Sequence, residues 1–284
     1  MLVKDWLHTW LTLRSPSLKP RTIESYTDLI RRYVAPAIGE LQLDQLTPIH
    51  ITAMLASISA EGHTRTAELV FVMLRAAFRD LEPSPMRRVI RPAHVQKSPE
   101  AWSDAAIAAY LAALADHKHR LPLTLAIMLG LRRGEICGVR WQDIDFQRKE
   151  LHIVNQRIRL DSGEIIDSSP KSAASVRVLP IPEELMRLLR SRRQLSGYLC
   201  SLTPSALDGA HRRLVIRLGL PYIPLHGLRP SFATACVRHG GDMASLQHVL
   251  GHAHYATTAD RYTHPDRGML LRAIDQANFA CYNA

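Results

Sequence analysis

The chain has 284 residues, of which 36 are Lys or Arg and 26 are Asp or Glu, giving a formal net charge of +10 at pH 7. The length predicts two domains, and the charge favours a polyanionic partner, although a basic protein without such a partner has the same balance. The four cysteines form no CxxC pair, so the sequence indicates neither a zinc knuckle nor a disulfide framework. The longest apolar run is too short to span a bilayer. We therefore expect a cytosolic protein with reduced thiols and no membrane association.

Helical periodicity runs through residues 1–82. Segments whose apolar residues recur every three or four positions are 2–13, 23–33 and 67–81. Pro36 and Gly39 are expected to end the second of these helices. Thr47 followed by Pro48 is typical of a helix N-terminus and predicts a further helix that ends near Ala60. The sequence therefore predicts an all-helical N-terminal domain over residues 1–82.

A proline-rich, basic stretch follows at residues 83–99, with a composition that resists both helix and sheet. We interpret it as an interdomain linker that lies against a nucleic-acid backbone, although basic linkers also occur where nothing is bound. Basic residues here, and arginines off the apolar stripe of the preceding helix, either contact DNA phosphates or are solvated. The candidates are Arg65, Arg75, Arg79, Arg87, Arg88, Arg91 and Lys97.

The remaining residues, 100–284, have the pattern of a second domain. Ser103 is a helix cap, and the apolar residues before Gly130 predict a buried helix that ends there. Short segments rich in β-branched residues predict one three-stranded antiparallel sheet: 150–160, 163–167 and 175–181. Helical patterns return from Pro182 onward. The predicted fold class is therefore mainly α with a small antiparallel β-sheet.

Two pairs of polar residues are spaced three apart, so that each pair shares one helix face. Arg132 and Glu135 follow the glycine that ends the buried helix, and His226 and Arg229 lie just before Pro230, which suits the first turn of a helix. Taken alone, the first pair is more typical of a surface ion pair and the second arises by chance in many proteins.

The order of the motifs along the chain is far more specific. They are Gly-Leu-Arg132-x-x-Glu135, Lys171 in a predicted turn ahead of Ser175-x-Arg177, His226-x-x-Arg229, Leu250-Gly-His252 and Tyr262-Thr-His264. This set resembles the tyrosine recombinase, or phage integrase, family. The N-terminal half resembles the helical, SAM-like core-binding domain that precedes the α+β catalytic domain in that family, so the resemblance covers essentially the whole chain.

The resemblance implies which residues act on DNA. The implied catalytic residues are Arg132, Lys171, His226, Arg229, His252 and Tyr262, with Glu135 in a supporting role. Guanidinium groups match the charge that develops on phosphate oxygens, a lysine can protonate the leaving 5′-oxygen, and a tyrosine can attack phosphorus where cations lower the cost of its ionisation. The implied reaction passes through a 3′-phosphotyrosine and needs no ATP, metal ion or other cofactor.

The same resemblance implies the partners: double-stranded DNA attachment sites, a homotetramer on DNA, and accessory DNA-bending or directionality factors. It implies integration or excision of a mobile element in a bacterial or phage-host cytosol, in association with the nucleoid. Because Met1 opens almost directly into the core-binding pattern, we expect no additional arm-binding domain.

One departure from the family pattern lies before Tyr262, where one residue more than usual separates it from Thr257 and Thr258. On a helix, one extra residue turns a side chain by about 100°. Either the loop absorbs the extra residue and Tyr262 keeps the usual position, or Tyr262 is presented differently, for example in trans. Two further functions stay open: a catalytically silent DNA-binding accessory factor of the same fold, and a type IB topoisomerase.

A histidine cluster near the C-terminus raises the alternative of a metal site. The residues that would form it are His252, His254, Asp260 and His264. No H-E-x-x-H motif or cysteine pair fixes a ligand geometry around them, so we predict no metal site. Tyr255 is expected to be a packing or hydrogen-bonding residue rather than the nucleophile.

Overall fold

The computed structural model describes residues 1–94, 100–170, 175–251, 271 and 274–275. The chain divides into two compact units, Met1–Lys97 and Ser98–Ala284. Both units are mainly helical, and the strands lie in the second, so the predicted fold class is confirmed. No helix in the described residues has the length and apolar content that crossing a lipid bilayer requires.

The first unit is built from helices. They are α1 (Val3–Arg14), α2 (Pro20–Leu29), α3 (Ala35–Ile38), α4 (Pro48–Ala60) and α5 (Thr64–Ala77). Thr47 and Pro48 begin α4 as predicted. The prediction that Pro36 and Gly39 end the second helical segment is wrong for Pro36, because a π-helical turn at Ile30–Val34 leads directly into α3, and correct for Gly39, which is the C-cap residue of α3. Pro36 fits there since it lies in the first turn of α3, where no backbone N–H is needed for an intrahelical bond.

The apolar stripe of α5 forms much of the core of this unit, with Val70, Phe71 and Leu74 all buried. Residues 83–94 contain neither helix nor strand, as their composition predicts. They nevertheless pack on this unit, because Met86 and Val89 contact its apolar core.

The second unit contains the remaining helices. Those whose bounds the structure describes are α6 (Asp104–Leu114), α7 (Arg120–Met128), α8 (Arg133–Gly138), α9 (Glu183–Ser191), α10 (Pro204–Arg217), α11 (Leu228–Arg238) and α12 (Met243–Leu250). Ser103 caps α6 as predicted, accepting a hydrogen bond from the backbone N–H of Ala106 at 3.3 Å. Buried residues make up nearly all of α7, and Gly130 follows it in a left-handed conformation with φ of 59°.

Five short strands accompany these helices in the described residues. They are β1 (Ile144–Asp145), β2 (Glu150–Ile153), β3 (Gln156–Arg159), β4 (Ile165–Ser168) and β5 (Arg177–Pro180). All pairing is antiparallel, with β1, β2 and β5 forming one sheet in that order and β3 and β4 forming a second. The prediction of a single three-stranded sheet is therefore wrong.

The physical reason is a close approach between a helix and the chain where β2 gives way to β3. A Cβ atom on Gly138, at the end of α8, would lie 2.6 Å from the Cα atom of Gln156. The glycine lets α8 lie directly against the backbone at this point, and the segment predicted as one strand is divided between two sheets. Alternation of apolar residues gives no sign of such a contact.

Candidate active site

The first pair of motif residues lies at the start of α8. Arg132 is the N-cap residue of that helix, and the Glu135 carboxylate accepts hydrogen bonds from the Arg132 backbone N–H at 2.9 Å and from its Nη1 at 2.8 Å. A carboxylate three residues into a helix is well placed to satisfy the free N–H groups of its first turn. Glu135 is 1% exposed, so the alternative of a surface ion pair is wrong.

The second motif arginine, Arg229, lies in the first turn of α11 and is 4% exposed. Its Nη1 donates to the carbonyl oxygen of Gly130 at 2.6 Å. The left-handed conformation of Gly130 favours glycine, and a Cβ atom there would lie 2.8 Å from the ring of Phe232. The glycine that ends α7 therefore presents a carbonyl group to this arginine.

The C-terminal end of α12 brings the arginines together. The helix ends at Gly251 in a left-handed conformation, with φ of 60° and ψ of 51°, and the last carbonyl groups of a helix have no partners within it. Successive carbonyl oxygens there accept hydrogen bonds from guanidinium groups: Val249 from Arg177 at 2.7 Å, Leu250 from Arg229, and Gly251 from Arg132 at 2.9 Å. Arg132 and Arg229 are thereby held on adjacent residues of one turn.

Arg177, at the start of β5, is a residue of this cluster to which the sequence analysis gave no role. It is 4% exposed, and its Nη1 and Nη2 each donate to a Glu135 carboxylate oxygen at 3.1 Å. The signal that could have identified it is strand alternation. Arg177 and Leu179 share the buried face of β5 while Val178 is exposed, so a charged residue stands where an apolar one is expected.

The electrostatics of the cluster favour an anion. Among the described residues, the guanidinium groups of Arg132, Arg177 and Arg229 are grouped around one carboxylate, that of Glu135. Burial alone would raise the pKa of Glu135, but the charges and hydrogen bonds of Arg177 and Arg132 outweigh it and lower the pKa below its ordinary range. Burial, followed by the positive charge of Arg132, lowers the pKa of Arg229. A phosphate bound here would offset the excess positive charge.

His226 lies on a 3₁₀ turn, Leu225–Gly227, directly before α11. Partial removal of water from its ring, followed by the positive charges of Arg229 and Arg132, lowers its pKa below the ordinary value. At neutral pH the imidazole is therefore neutral and able to accept a proton.

The remaining predicted catalytic residues, Lys171, His252 and Tyr262, lie outside the described residues. The same is true of Tyr255 and of the other members of the histidine cluster. Groups of His, Cys, Asp or Glu side chains able to hold a metal ion are absent from the part of the chain that the structure describes.

The arginines predicted to contact DNA from the first unit are exposed on its surface: Arg65, Arg75, Arg79, Arg87, Arg88 and Arg91. Lys97 lies outside the described residues. The carboxylate of Glu68, on the largely buried face of α5, accepts hydrogen bonds from Arg65 and from Arg91, while Thr64 Oγ1 lies 3.1 Å from His94 Nδ1. These contacts attach Arg91 and His94 of the proline-rich, basic stretch to α5. They also hold the side chains of Arg65 and Arg91 beside Glu68.

Both halves of the chain match known protein families. Residues 103–268 match the phage integrase family, and residues 2–58 match the phage integrase N-terminal SAM-like domain. The chain is 25% identical to a tyrosine recombinase XerC-like protein of Caldanaerobacter subterraneus subsp. tengcongensis, over 96% of this chain and 82% of that protein.

Solved structures share the fold. The Tn1549 transposon integrase in complex with transposon right end DNA is 19% identical, with a TM-score of 0.76 over 97% of this chain and 99% of that one. A lambda integrase tetramer bound to a Holliday junction is 21% identical, with a TM-score of 0.66 over 91% of this chain and 79% of that one. The family match covers more than half of the chain and contains the clustered arginines, so the protein belongs to the phage integrase family of tyrosine recombinases, which are site-specific recombinase enzymes.

Proposed function

We propose that this chain cleaves and rejoins DNA strands at specific sites through a 3′-phosphotyrosine formed by Tyr262, and that it integrates or excises a mobile element. The observation that carries the proposal is the joint fixing of Arg132 and Arg229 at the end of α12, within a cluster that has excess positive charge. These two residues belong to separate sequence motifs that are almost 100 positions apart in the chain.

Phosphodiester cleavage develops negative charge on the non-bridging oxygens, and fixed guanidinium groups stabilise it because they need no rearrangement during the reaction. The side chain of Arg132 is 30% exposed, so a phosphate can approach it from solvent. Arg229 is nearly inaccessible to solvent, so water screens its charge little. His252, the next residue in sequence after Gly251, is proposed as a further phosphate ligand.

The proposed step is balanced in bonds and protons. The phenolic oxygen of Tyr262 bonds to phosphorus while the bond from phosphorus to the 5′-oxygen breaks. The phenolic proton passes to His226, whose lowered pKa leaves it neutral, and the 5′-oxygen takes a proton from Lys171. Since the phosphotyrosyl ester keeps the energy of the original phosphodiester, rejoining needs no ATP, and no metal ion is required.

The proposed partners are double-stranded DNA attachment sites, a homotetramer formed on DNA, and accessory bending or directionality factors. The similarity in fold to the lambda integrase tetramer on a Holliday junction supports the first two. We propose residues 1–82 as the core-binding domain, 83–99 as a basic linker on the DNA backbone and 100–284 as the catalytic domain. The exposed arginines of the first unit are the proposed phosphate contacts.

The test uses a duplex selected from a random-sequence pool by its binding to the full chain, nicked beside each successive phosphate. Cleavage next to a nick releases a short 5′-hydroxyl fragment, so the covalent complex accumulates. The wild-type protein and the Tyr255→Phe control should form this complex, whereas Tyr262→Phe should form none. If Tyr255→Phe loses the complex and Tyr262→Phe keeps it, the assignment of the nucleophile is wrong.

Two other outcomes would identify the alternatives. Tight binding without any covalent complex, at any nick position, would establish a silent accessory factor instead. Covalent complexes on unselected DNA, together with relaxation of a supercoiled plasmid without strand exchange, would establish a topoisomerase.

A further inference from the structure

We propose that Arg177 is a positioning residue, which holds in place the ends of three segments that lead to the proposed catalytic residues. The inference rests on the proposed function, because it concerns the same site. It assigns a role to a side chain that itself touches no DNA, since that side chain is 1% exposed.

The contacts of Arg177 reach each of the three segments. Nη1 and Nη2 bind the Glu135 carboxylate, which in turn binds the backbone and side chain of Arg132. Nε donates to the carbonyl oxygen of Val249 at 2.7 Å, in the last turn of α12. Nη1 also donates to the carbonyl oxygen of Ser175 at 2.9 Å.

Each of these acceptors lies close in sequence to a proposed catalytic residue. Ser175 follows Lys171 by four positions, and Val249 precedes His252 by three. Glu135 follows Arg132 by three. One buried guanidinium therefore connects β5, α8 and α12 at positions that are close in sequence to three proposed catalytic residues.

Only a guanidinium has the geometry that these contacts need. The planar fork supplies two parallel donors to one carboxylate and a further donor on Nε, whereas the ammonium group of lysine is a single compact charge. Four of the N–H donors of Arg177 are used in this way among the described residues. Lysine would keep the charge beside Glu135 but could not reach all three segments at once.

Loss of Arg177 should change the rate of cleavage and not the binding of DNA. Without it, the buried Glu135 carboxylate keeps only Arg132 as a charged partner at hydrogen-bond distance, and its pKa rises. The end of α12 also loses the hydrogen bond that Arg177 donates to Val249. The carbonyl groups that bind Arg132 and Arg229 are then held less firmly, and so are these two guanidinium groups. Removing a group that orients the ligands of a metal site typically costs roughly 10- to 100-fold in activity, and we expect a loss of the same order here.

The experiment compares Arg177→Met and Arg177→Lys with the wild-type chain, using the nicked duplex that the wild type cleaves. Arg187→Met is the matched control, because Arg187 pairs with Glu184 on the exposed face of α9. At saturating DNA, the covalent complex should form roughly 10- to 100-fold more slowly with Arg177→Met, and at an intermediate rate with Arg177→Lys. Affinity for the duplex should be unchanged in all variants, and the control should match the wild type.

A pH profile separates positioning from a loss of folding. Among the residues that the structure describes, the charged and titratable groups around Glu135 are Arg132, Arg177, Arg229 and His226. Arg177→Met raises the pKa of Glu135, so Glu135 becomes protonated at a higher pH in this variant. As the pH is lowered, the cleavage rate of Arg177→Met should therefore begin to fall at a higher pH than the rate of the wild type. In a Glu135→Gln background the same substitution should cause no such shift, since the titrating group is gone.

Three results with Arg177→Met would overturn the proposal: a cleavage rate equal to that of the wild type, a loss of rate that parallels the unfolded fraction at every pH, or a pH shift that persists in the Glu135→Gln background. Arg177→Lys keeps the test informative if Arg177→Met fails to fold, because equal rates for Arg177→Lys and the wild type would also contradict it. Absence of any covalent complex with the wild-type chain would overturn the proposed function itself, and this inference with it.

Discussion

Replacement of Glu135 by glutamine should destabilise the second unit strongly. The carboxylate accepts two hydrogen bonds from Arg132 and two from Arg177, and the side chains of Glu135 and Arg177 are 2% and 1% exposed. Glutamine keeps the shape but replaces one acceptor oxygen with an amide group that faces N–H donors. Removing one partner of a buried ion pair costs about 3–5 kcal/mol, because the other charge stays buried.

For a domain of this size, that cost corresponds to a fall in melting temperature of roughly 6–20 °C. Thermal and urea unfolding of the full chain would measure it, with Glu184→Gln as the control. Glu184 pairs with Arg187 through largely exposed side chains, so its replacement should cost less than about 1 kcal/mol. A change for Glu135→Gln no larger than that of the control would refute the buried pairing.

The loss of stability caused by Glu135→Gln should depend on pH, because the pKa of Glu135 is lowered in the folded protein. A carboxyl group whose folded pKa lies below its unfolded value contributes stability that is fully present above the unfolded pKa and lost as the pH falls through the folded pKa. The ordinary value is 4.5. The difference in unfolding free energy between the wild type and Glu135→Gln should therefore be constant near neutral pH and should narrow below 4.5. A difference that widens in acid would contradict this sign.

Further predictions concern other parts of the molecule. Gly130→Ala should lower the free energy of unfolding, measured in urea, by more than Gly219→Ala does. Both residues have positive φ, but of the two only Gly130 has a phenylalanine ring where an added Cβ would lie. Equal losses of stability would disprove the clash. Burial lowers the pKa of His211, so stability should fall as the pH drops below about 6.5, and a His211→Gln variant with the same pH slope would refute this. Glu68→Gln should speed hydrogen exchange around Arg91, whereas the exposed Glu61→Gln should not; unchanged exchange would show that the ion pair does not anchor the segment.

Features encoded by local physics were predictable from the sequence. The helix starts at Thr47 and Ser103 and the helix end before Gly130 were correct, because capping and left-handed turns depend on a few neighbouring residues. The shared face of Arg132 and Glu135 followed from helical spacing, but their burial did not. Burial depends on which elements pack over that face, which no local spacing encodes.

The organisation of the sheets and the role of Arg177 required the fold. The division between β2 and β3 depends on the close approach of Gly138 to the backbone at Gln156, a contact between residues of different elements. Arg177 binds Glu135 and Val249, which are 42 and 72 positions away in sequence. Strand alternation marks Arg177 as inward-facing, but the partners that make a buried arginine tolerable are set by tertiary packing.

The most direct test of the proposed mechanism is identification of the tyrosine that carries the DNA. The covalent complex formed on the nicked duplex would be digested with nuclease and trypsin, and the nucleotide-bearing peptide identified by mass spectrometry. Trypsin separates the candidates, because Arg238 and Arg261 bound a peptide that contains Tyr255, while Tyr262 begins the next peptide. The mechanism predicts the nucleotide on Tyr262. A nucleotide on the peptide that contains Tyr255, or on any other residue, would contradict it.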